Sequence, residues 1–188
     1  MPNVSAKAEP AGIESLKALK SSLAVRAKIA SSLRRAFEAA AFIETETPVG
    51  IFAPAAEEYI EAPKAASFFL RTSPELQMKR LLAAGMERIY QLGPCFRAGE
   101  NGRRHRPEFT MLEYYMTGAD YLELLDFTRG FLASICSDLY GSHRFRFGEN
   151  TIDIDKLEII PVREAFRRFA NEDADRCAEE DARFESVL

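Results

Sequence analysis

The stretch Phe96–Tyr115, FRAGENGRRHRPEFTMLEYY, carries residue types that could bind a nucleotide and a cation side by side. Alternate residues of a strand share a face, so a strand over residues 108–115 would project Phe109, Glu113 and Tyr115 together. A flat ring can stack on a base, and a carboxylate can hold an ammonium group. The spacing therefore predicts a nucleotide clamp joined to a cation pocket.

An arginine and a basic loop flank this predicted strand. Arg97 follows the apolar run RIYQLGPCF, and the short loop Gly99–Pro107 predicts a hairpin that returns Arg97 to the same face. A guanidinium can bind two phosphate oxygens at once. The loop adds four basic side chains, Arg103, Arg104, His105 and Arg106. We therefore expect a polyphosphate at this end of the face.

The stretch resembles motif 2 of class II aminoacyl-tRNA synthetases. Within that class it is similar to lysyl-tRNA synthetase and, more closely, to its free-standing paralogue, the elongation factor P lysyltransferase of the GenX/PoxA type. Two further segments agree in order and spacing: Phe42–Pro48 (FIETETP) resembles motif 1, and Phe68–Gly93 resembles the segment before motif 2. The resemblance covers Ile13–Tyr140 and implies an α+β fold, a class II synthetase-like antiparallel sheet flanked by helices.

The roles of individual residues follow from this resemblance. It implies that Arg97 is catalytic, contacting the ATP α-phosphate and the substrate carboxylate, and that Phe109 stacks on adenine. The remaining residues of the implied ATP site are Gly99, Glu100, His105 and Arg106. The implied pocket for the amine of a lysine-type substrate contains Ser73, Glu75, Glu113 and Tyr115.

The chain departs from the family pattern at two places. The pattern usually reads Arg-x-Glu, whereas Arg97 is followed by Ala98 and Gly99, and Glu100 stands one place late. Arg106 stands where asparagine is common.

Each of these residues also has a structural interpretation. Ser73-Pro74-Glu75 is a good helix start, with serine as N-cap and an acid near the positive end of the helix dipole. Phe109 and Tyr115 are rings of the kind that fill cores, and the alternative for Glu113 is a structural pair with an arginine. The basic loop alone would be a solvated surface. The joint occurrence at matching spacing favours the site.

Composition limits the classes of function. The chain has 188 residues and a net charge of −4, which argues against general nucleic-acid binding. The three cysteines form no CxxC pair, and the two histidines offer no metal-ligand spacing, so no metal-binding residue is predicted. No apolar run has membrane-spanning length, and the N-terminus lacks the hydrophobic stretch of a signal peptide. We expect a cytoplasmic protein with reduced, structural cysteines.

Hydrophobic periodicity predicts the order of elements. Residues 1–12 are interpreted as a disordered leader and residues 13–188 as one catalytic domain. The predicted elements are a long helix or two consecutive ones (Ile13–Ala41), a strand (Phe42–Pro48), a Pro/Ala-rich loop (Val49–Ser67), a strand (Phe68–Thr72), a helix (Pro74–Ala84), the motif 2 hairpin, a helix (Tyr121–Leu139), a hairpin turning at Gly148–Asn150, and a helix that Pro161 opens.

Two absences shape the functional expectation. Nothing after Tyr140 resembles motif 3, the Gly-rich segment ending in arginine that completes the class II ATP site, so we expect a fragment or a truncated product whose sheet is incomplete at the C-terminus. The leader is too short for the anticodon-binding OB-fold of lysyl-tRNA synthetases. This favours the paralogue, whose acceptor is a protein lysine, and argues against tRNA as a partner.

By resemblance, the expected activity is ATP-dependent activation of a lysine-type amino acid, β-lysine in particular, as an adenylate. Ligation to a lysine of elongation factor P would follow. Mg²⁺ would bridge the phosphates, with ligands outside this chain, and a homodimer would form through the motif 1 region. Two alternatives remain open: a lysyl-tRNA synthetase fragment, and a non-catalytic paralogue acting as a binding module.

Overall fold

The structure, a computed structural model, describes residues 12–179 and 184. The predicted leader, residues 1–12, lies outside them apart from Gly12. Two units are formed, one ending at Ile152 and one beginning at Asp153. The first contains α1 (Ile13–Ala39), β1 (Ile43–Glu44), β2 (Gly50–Ile51), β3 (Lys64–Ala65), β4 (Phe68–Leu70), α2 (Glu75–Ala83), β5 (Arg88–Phe96), β6 (Glu108–Met116), α3 (Tyr121–Tyr140) and β7 (Arg144–Phe147), followed by β8 (Asn150–Asp153).

The central sheet has the strand order β1-β5-β6, with β1 parallel to β5 and β6 antiparallel to it. A smaller antiparallel sheet has the order β2-β4-β3, and β7 pairs with β8. The β5–β6 pairing runs without interruption from Arg88↔Met116 to Phe96↔Glu108. This long regular ladder fixes the direction of every side chain of the motif 2 hairpin.

Helices α1 and α3 cover one face of the central sheet. Phe37 of α1 is fully buried there, and its ring centroid lies 4.5–5.3 Å from five other rings. Those rings belong to Phe42, Tyr90, Tyr114, Phe127 and Phe131. Helix α3 begins at a capping box of Asp120 and Glu123 and ends at Gly141, whose φ of 65° is left-handed. The apolar stripes of both helices therefore meet over β5 and β6.

The second unit contains a 3-10 turn (Ile154–Lys156), α4 (Val162–Ala165), a π-helical turn (Phe166–Ala170) and α5 (Ala174–Glu179). Pro161 precedes α4, as predicted. Ion pairs at 2.9 Å between Arg163 and Asp175 and at 2.8 Å between Arg168 and Glu158 join its segments.

The structure confirms one continuous first helix and both predicted hairpins, but it shortens the predicted strand Phe42–Pro48 to Ile43–Glu44. The strand ends because the backbone N–H of Thr47 donates to a side chain, the Oε1 of Gln91, at 3.1 Å. The predicted loop Val49–Ser67 also contains β2 and β3. Cys95, Cys136 and Cys177 are free and buried. Within the described ranges, no helix is long and apolar enough to cross a membrane.

Candidate functional site

The face of the β5–β6 hairpin that points away from α1 and α3 carries the predicted site residues. Cα partners across an antiparallel pair point to the same side, and the register pairs Cys95 with Phe109 and Gln91 with Glu113. Tyr115 follows on the same face. The prediction that Phe109, Glu113 and Tyr115 share one face of a strand is confirmed.

The Arg97 side chain lies against the Phe109 ring at one end of this face. Its guanidinium carbon is 5.1 Å from the ring centroid, and its backbone N–H donates to the Pro107 carbonyl at 2.9 Å. Glu100 lies within 3.7 Å of Nη1. Among the described residues, the buried Nε has no hydrogen-bond partner. An unmade hydrogen bond of a buried donor costs about 1–3 kcal/mol, so this end is suited to an acceptor supplied by a ligand.

The Glu113 carboxylate is held at both oxygens at the other end of the face. The Ser73 hydroxyl donates to Oε2 at 2.8 Å, and the Tyr115 hydroxyl donates to Oε1. Burial, followed by this hydrogen bond and the charges of Glu113 and Glu75, raises the pKa of Tyr115. The phenol therefore stays a neutral donor at physiological pH. The result is a fixed, half-buried anion suited to an ammonium group.

Glu75 lies at the rim of this pocket. Its carboxylate pairs with Lys79 one helical turn on and is about half exposed. Its backbone N–H donates to the Ser73 hydroxyl at 3.0 Å, which is the helix-start interaction that the sequence offered as the alternative. The N-cap residue of α2 is Pro74 rather than the predicted Ser73, but the Ser73 hydroxyl still accepts from the first residue of the helix while it donates to Glu113. The structural and functional interpretations of this turn are therefore compatible.

The basic loop forms an open rim beyond Arg97. A cavity of about 400 Å³ is lined there by Gly99, Glu100, Asn101, Gly102 and His105. Gly99 has a left-handed φ of 78°, and the Gly102 N–H donates to the His105 carbonyl at 3.2 Å. The arginines from Arg103 to Arg106 are exposed. His105 therefore lines the same cavity as Glu100, the residue that pairs with Arg97. Arg106 is a cation exposed to solvent.

A buried polar network on this face was missed by the sequence interpretation. Arg71, only 1% exposed, donates from Nε to the Pro94 carbonyl at 2.9 Å and from Nη1 to the Thr47 carbonyl at 2.7 Å. Gln91 Oε1 accepts from the Thr47 hydroxyl at 2.9 Å. The one available signal was the alternation of RIYQLGPCF, which places Gln91 on the face of Cys95 rather than in solvent.

The donor set does not fit a metal ion. Across residues 12–179 and 184, no group of three or more His, Cys, Asp or Glu side chains is placed to hold one. The ligands of the phosphate-bridging Mg²⁺ are expected outside this chain, and that expectation stays a prediction.

Comparison with known proteins identifies the family of this chain. The family model of class II tRNA synthetases (D, K and N) matches residues 12–187. The chain belongs to this family. Mixed helix and sheet content is consistent with a class II synthetase domain.

Relatives of this class II synthetase chain include three bacterial proteins named lysine–tRNA ligase. The protein of Shewanella denitrificans is 36% identical over 156 residues, covering 80% of this chain and 31% of its own. That of Actinobacillus pleuropneumoniae serotype 5b is 37% identical over 153 residues, covering 78% and 31%. That of Shewanella piezotolerans is 40% identical over 135 residues, covering 69% and 27%. The chain thus spans less than a third of the length of these relatives.

Proposed function

We propose that this chain provides the amino-acid and nucleotide contacts of an enzyme that activates lysine with ATP. The single observation that carries the proposal is the fixed Glu113 carboxylate on the same face as the Arg97–Phe109 pair. The first is suited to an ammonium group, and the second to a phosphate and a purine. The family, and the names of the relatives, support an ATP-dependent ligase acting on lysine.

The proposed reaction needs no covalent enzyme nucleophile. The substrate carboxylate attacks the α-phosphorus of ATP, the new C–O–P bond forms as the bond to pyrophosphate breaks, and pyrophosphate leaves with its electron pair. Glu113 fixes the side-chain amine, Phe109 fixes adenine, and Arg97 neutralises charge on the α-phosphate. The protein thus contributes position and electrostatic stabilisation.

Transfer RNA is the acceptor we favour for the activated lysine. The relatives are named lysine–tRNA ligases, and this outweighs the expectation from the sequence that tRNA is not a partner. A lysine of elongation factor P is the second candidate, with β-lysine as its substrate. It is supported by the resemblance of the segment FRAGENGRRHRPEFTMLEYY to the lysyltransferase paralogue.

Homodimer formation is also part of the proposal. Leu19 and Leu23 lie on the same face of α1 as the buried Leu33 and Phe37, yet both are exposed. An apolar stripe that continues beyond the core it serves is suited to a partner helix. The N-terminal half of α1 is therefore the surface on which we expect a second copy.

Lysine-dependent exchange of pyrophosphate into ATP tests the activation step. For the complete enzyme that contains these contacts, we expect exchange with α-lysine or β-lysine and none without an amino acid. Glu113→Gln should reduce exchange at least a hundredfold, because loss of one partner of a buried charge pair costs about 3–5 kcal/mol, and should leave ATP binding intact. Glu108→Gln, an exposed change on the same strand, is the matched control. Equal activity of the two variants would refute the role of Glu113.

Transfer of labelled lysine distinguishes the acceptors. The adenylate formed by the protein would be offered to lysine tRNA and to elongation factor P in separate reactions. Label in acid-precipitable RNA that ribonuclease releases supports the tRNA proposal, whereas label that stays with the protein factor supports the second candidate. Label in neither would contradict both acceptor proposals.

A further inference from the structure

Arg71 connects two separate stretches of the chain. Its side chain is 1% exposed and donates from Nε to the Pro94 carbonyl at 2.9 Å and from Nη1 to the Thr47 carbonyl at 2.7 Å. Its backbone N–H donates to the Val49 carbonyl at 2.9 Å, and its own carbonyl accepts from the Phe96 N–H at 2.9 Å. Side chain and backbone together therefore tie the stretch after β1 to the last residues of β5.

The segment from Arg71 to Ser73 contacts the β5–β6 hairpin at both ends of the candidate site. At one end, the Arg71 carbonyl accepts from Phe96, the residue directly before Arg97. At the other end, the Ser73 hydroxyl donates to Glu113 at 2.8 Å. One residue of chain separates the two contacts, so a shift of Arg71 also shifts Ser73 relative to Glu113.

An arginine suits this position because its guanidinium carries several donors in a fixed plane. Its Nε and Nη1 bond carbonyls of two different stretches, and the guanidinium also hydrogen-bonds the Cys95 thiol. The remaining nitrogen, Nη2, lies 2.9 Å from the place that a Cβ would take on Gly93. Glycine at residue 93 thus makes room for the guanidinium, and the hydrogen bonds hold it in one position.

We propose that Arg71 is a positioning residue that sets the distance between the Glu113 pocket and Arg97. This inference rests on the proposed function, because one lysine must place its amine at Glu113 and its carboxylate beside the α-phosphate at Arg97. Arg71 acts through Ser73 and through the end of β5. Displacement of reacting atoms by about 1 Å can cost roughly a hundredfold in rate. Arg71 thereby makes the reaction depend on the length of the amino acid's side chain.

A purely structural role of Arg71 is the competing explanation. Removing a buried, hydrogen-bonded arginine lowers the free energy of unfolding in either case, so stability does not separate the two. A structural role alone lowers the fraction of active protein, and the rates with every amino acid fall by the same factor. A positioning role changes the ratio between amino acids of different length. Ornithine, which is lysine with one methylene fewer, is therefore the probe.

Pyrophosphate exchange by the complete enzyme, with lysine or with ornithine, provides the test. Arg71→Lys keeps the charge but loses the planar set of donors, and Gly93→Ala keeps Arg71 but displaces its guanidinium. The wild-type enzyme should prefer lysine by about 10–200-fold, the usual range for one methylene. In both variants kcat with lysine should fall more than kcat with ornithine, so this preference should drop by roughly tenfold. Gly130→Ala, whose Cβ meets nothing within 4 Å, should keep the wild-type preference.

The outcomes separate this inference from the proposed function. A wild-type enzyme without lysine-dependent exchange would overturn the proposed function and, with it, the positioning role. A wild-type enzyme that prefers lysine, together with variants that lose rate equally for both amino acids, would overturn the positioning role alone. Gly93→Ala removes no hydrogen-bonding group, so its preference decides the question if Arg71→Lys does not fold. A reduced preference in Gly93→Ala, with Gly130→Ala unchanged, would support the inference.

Discussion

The two faces of the β5–β6 hairpin are built from the same two strands but differ in chemistry: one is apolar and packed, and the other carries charged side chains. The face under α1 and α3 is an aromatic cluster centred on Phe37, with the ring of Tyr90 at 4.5 Å. The other face holds charges: Arg97 beside Phe109, Glu113 between two hydroxyls, and Arg71 over Gly93. The first face is stabilised by packing, whereas the second keeps a buried donor, Arg97 Nε, that the described residues do not satisfy.

This difference separates stability from binding within one hairpin. A strand's alternation sends neighbouring residues to opposite sides, so Tyr114 belongs to the core while Glu113 and Tyr115 belong to the site. Changes on the packed face should therefore alter the free energy of unfolding, and changes on the open face should alter ligand affinity and rate.

Phe37→Ala should produce the largest effect. The ring is fully buried among five others, and truncation of a core phenylalanine costs about 3–5 kcal/mol. Urea unfolding followed by far-UV circular dichroism measures this loss, with Phe52→Ala, an exposed ring, as control. A loss no larger than that of the control would mean that the packed face does not dominate stability.

Arg97→Ala should leave the free energy of unfolding nearly unchanged and lower kcat for lysine-dependent exchange. A charge contact made in the transition state contributes about 2.7–4 kcal/mol, by analogy with oxyanion donors. Arg104→Ala, a neighbouring exposed arginine, is the matched control. If Arg97→Ala instead raised KM for ATP at constant kcat, the guanidinium would bind the ground state, contrary to the assigned role.

Phe109→Ala should mainly raise KM for ATP. Stacking of an aromatic ring on a base contributes roughly 1–3 kcal/mol, and the substitution also removes the surface on which Arg97 rests at 5.1 Å. Phe109→Tyr retains the ring and should retain affinity. Steady-state exchange at varied ATP concentration separates the two parameters, and a pure kcat defect in Phe109→Ala would exchange the roles assigned to these two residues.

Glu44→Gln should have the smallest effect, and the effect should depend on pH. The Arg34 guanidinium, bonded to both carboxylate oxygens, holds the pKa of Glu44 below its usual value of 4.5. Folding thus favours the charged form of Glu44. The carboxylate therefore adds to the free energy of unfolding above its ordinary pKa, and this stabilisation disappears as the pH falls through the lowered pKa of the folded state.

For an ion pair this exposed, the difference between wild type and Glu44→Gln at neutral pH should be less than about 1 kcal/mol. Unfolding midpoints measured from pH 7 downward should converge. Glu57→Gln, an exposed control, should show no such convergence. A gap between wild type and Glu44→Gln that widens toward acid would contradict the assigned sign.

The sequence predicted elements and site residues wherever a local pattern governs them. Alternation identified the motif 2 hairpin and the face shared by Phe109 and Glu113, and helical spacing identified α1. It predicted β1 but not how short that strand is, and it missed the strands β2 and β3, because these features depend on partners far along the chain. The Arg71 network was missed for the same reason. An arginine that follows a strand is expected to be exposed, and only the fold brings Thr47 and Pro94 to its side chain.

The two neighbours of β5 reach it by very different routes along the chain. A single loop connects β5 to β6, whereas the smaller sheet and α2 lie between β1 and β5 in the chain. The entropy lost on closing a loop grows with its length, and distant pairings slow folding. The hairpin should therefore assemble early and β1 late. Thr47 lies just beyond β1, so the burial of Arg71 waits for that late step, and backbone amides near Gly93 should gain deuterium protection after those of β6.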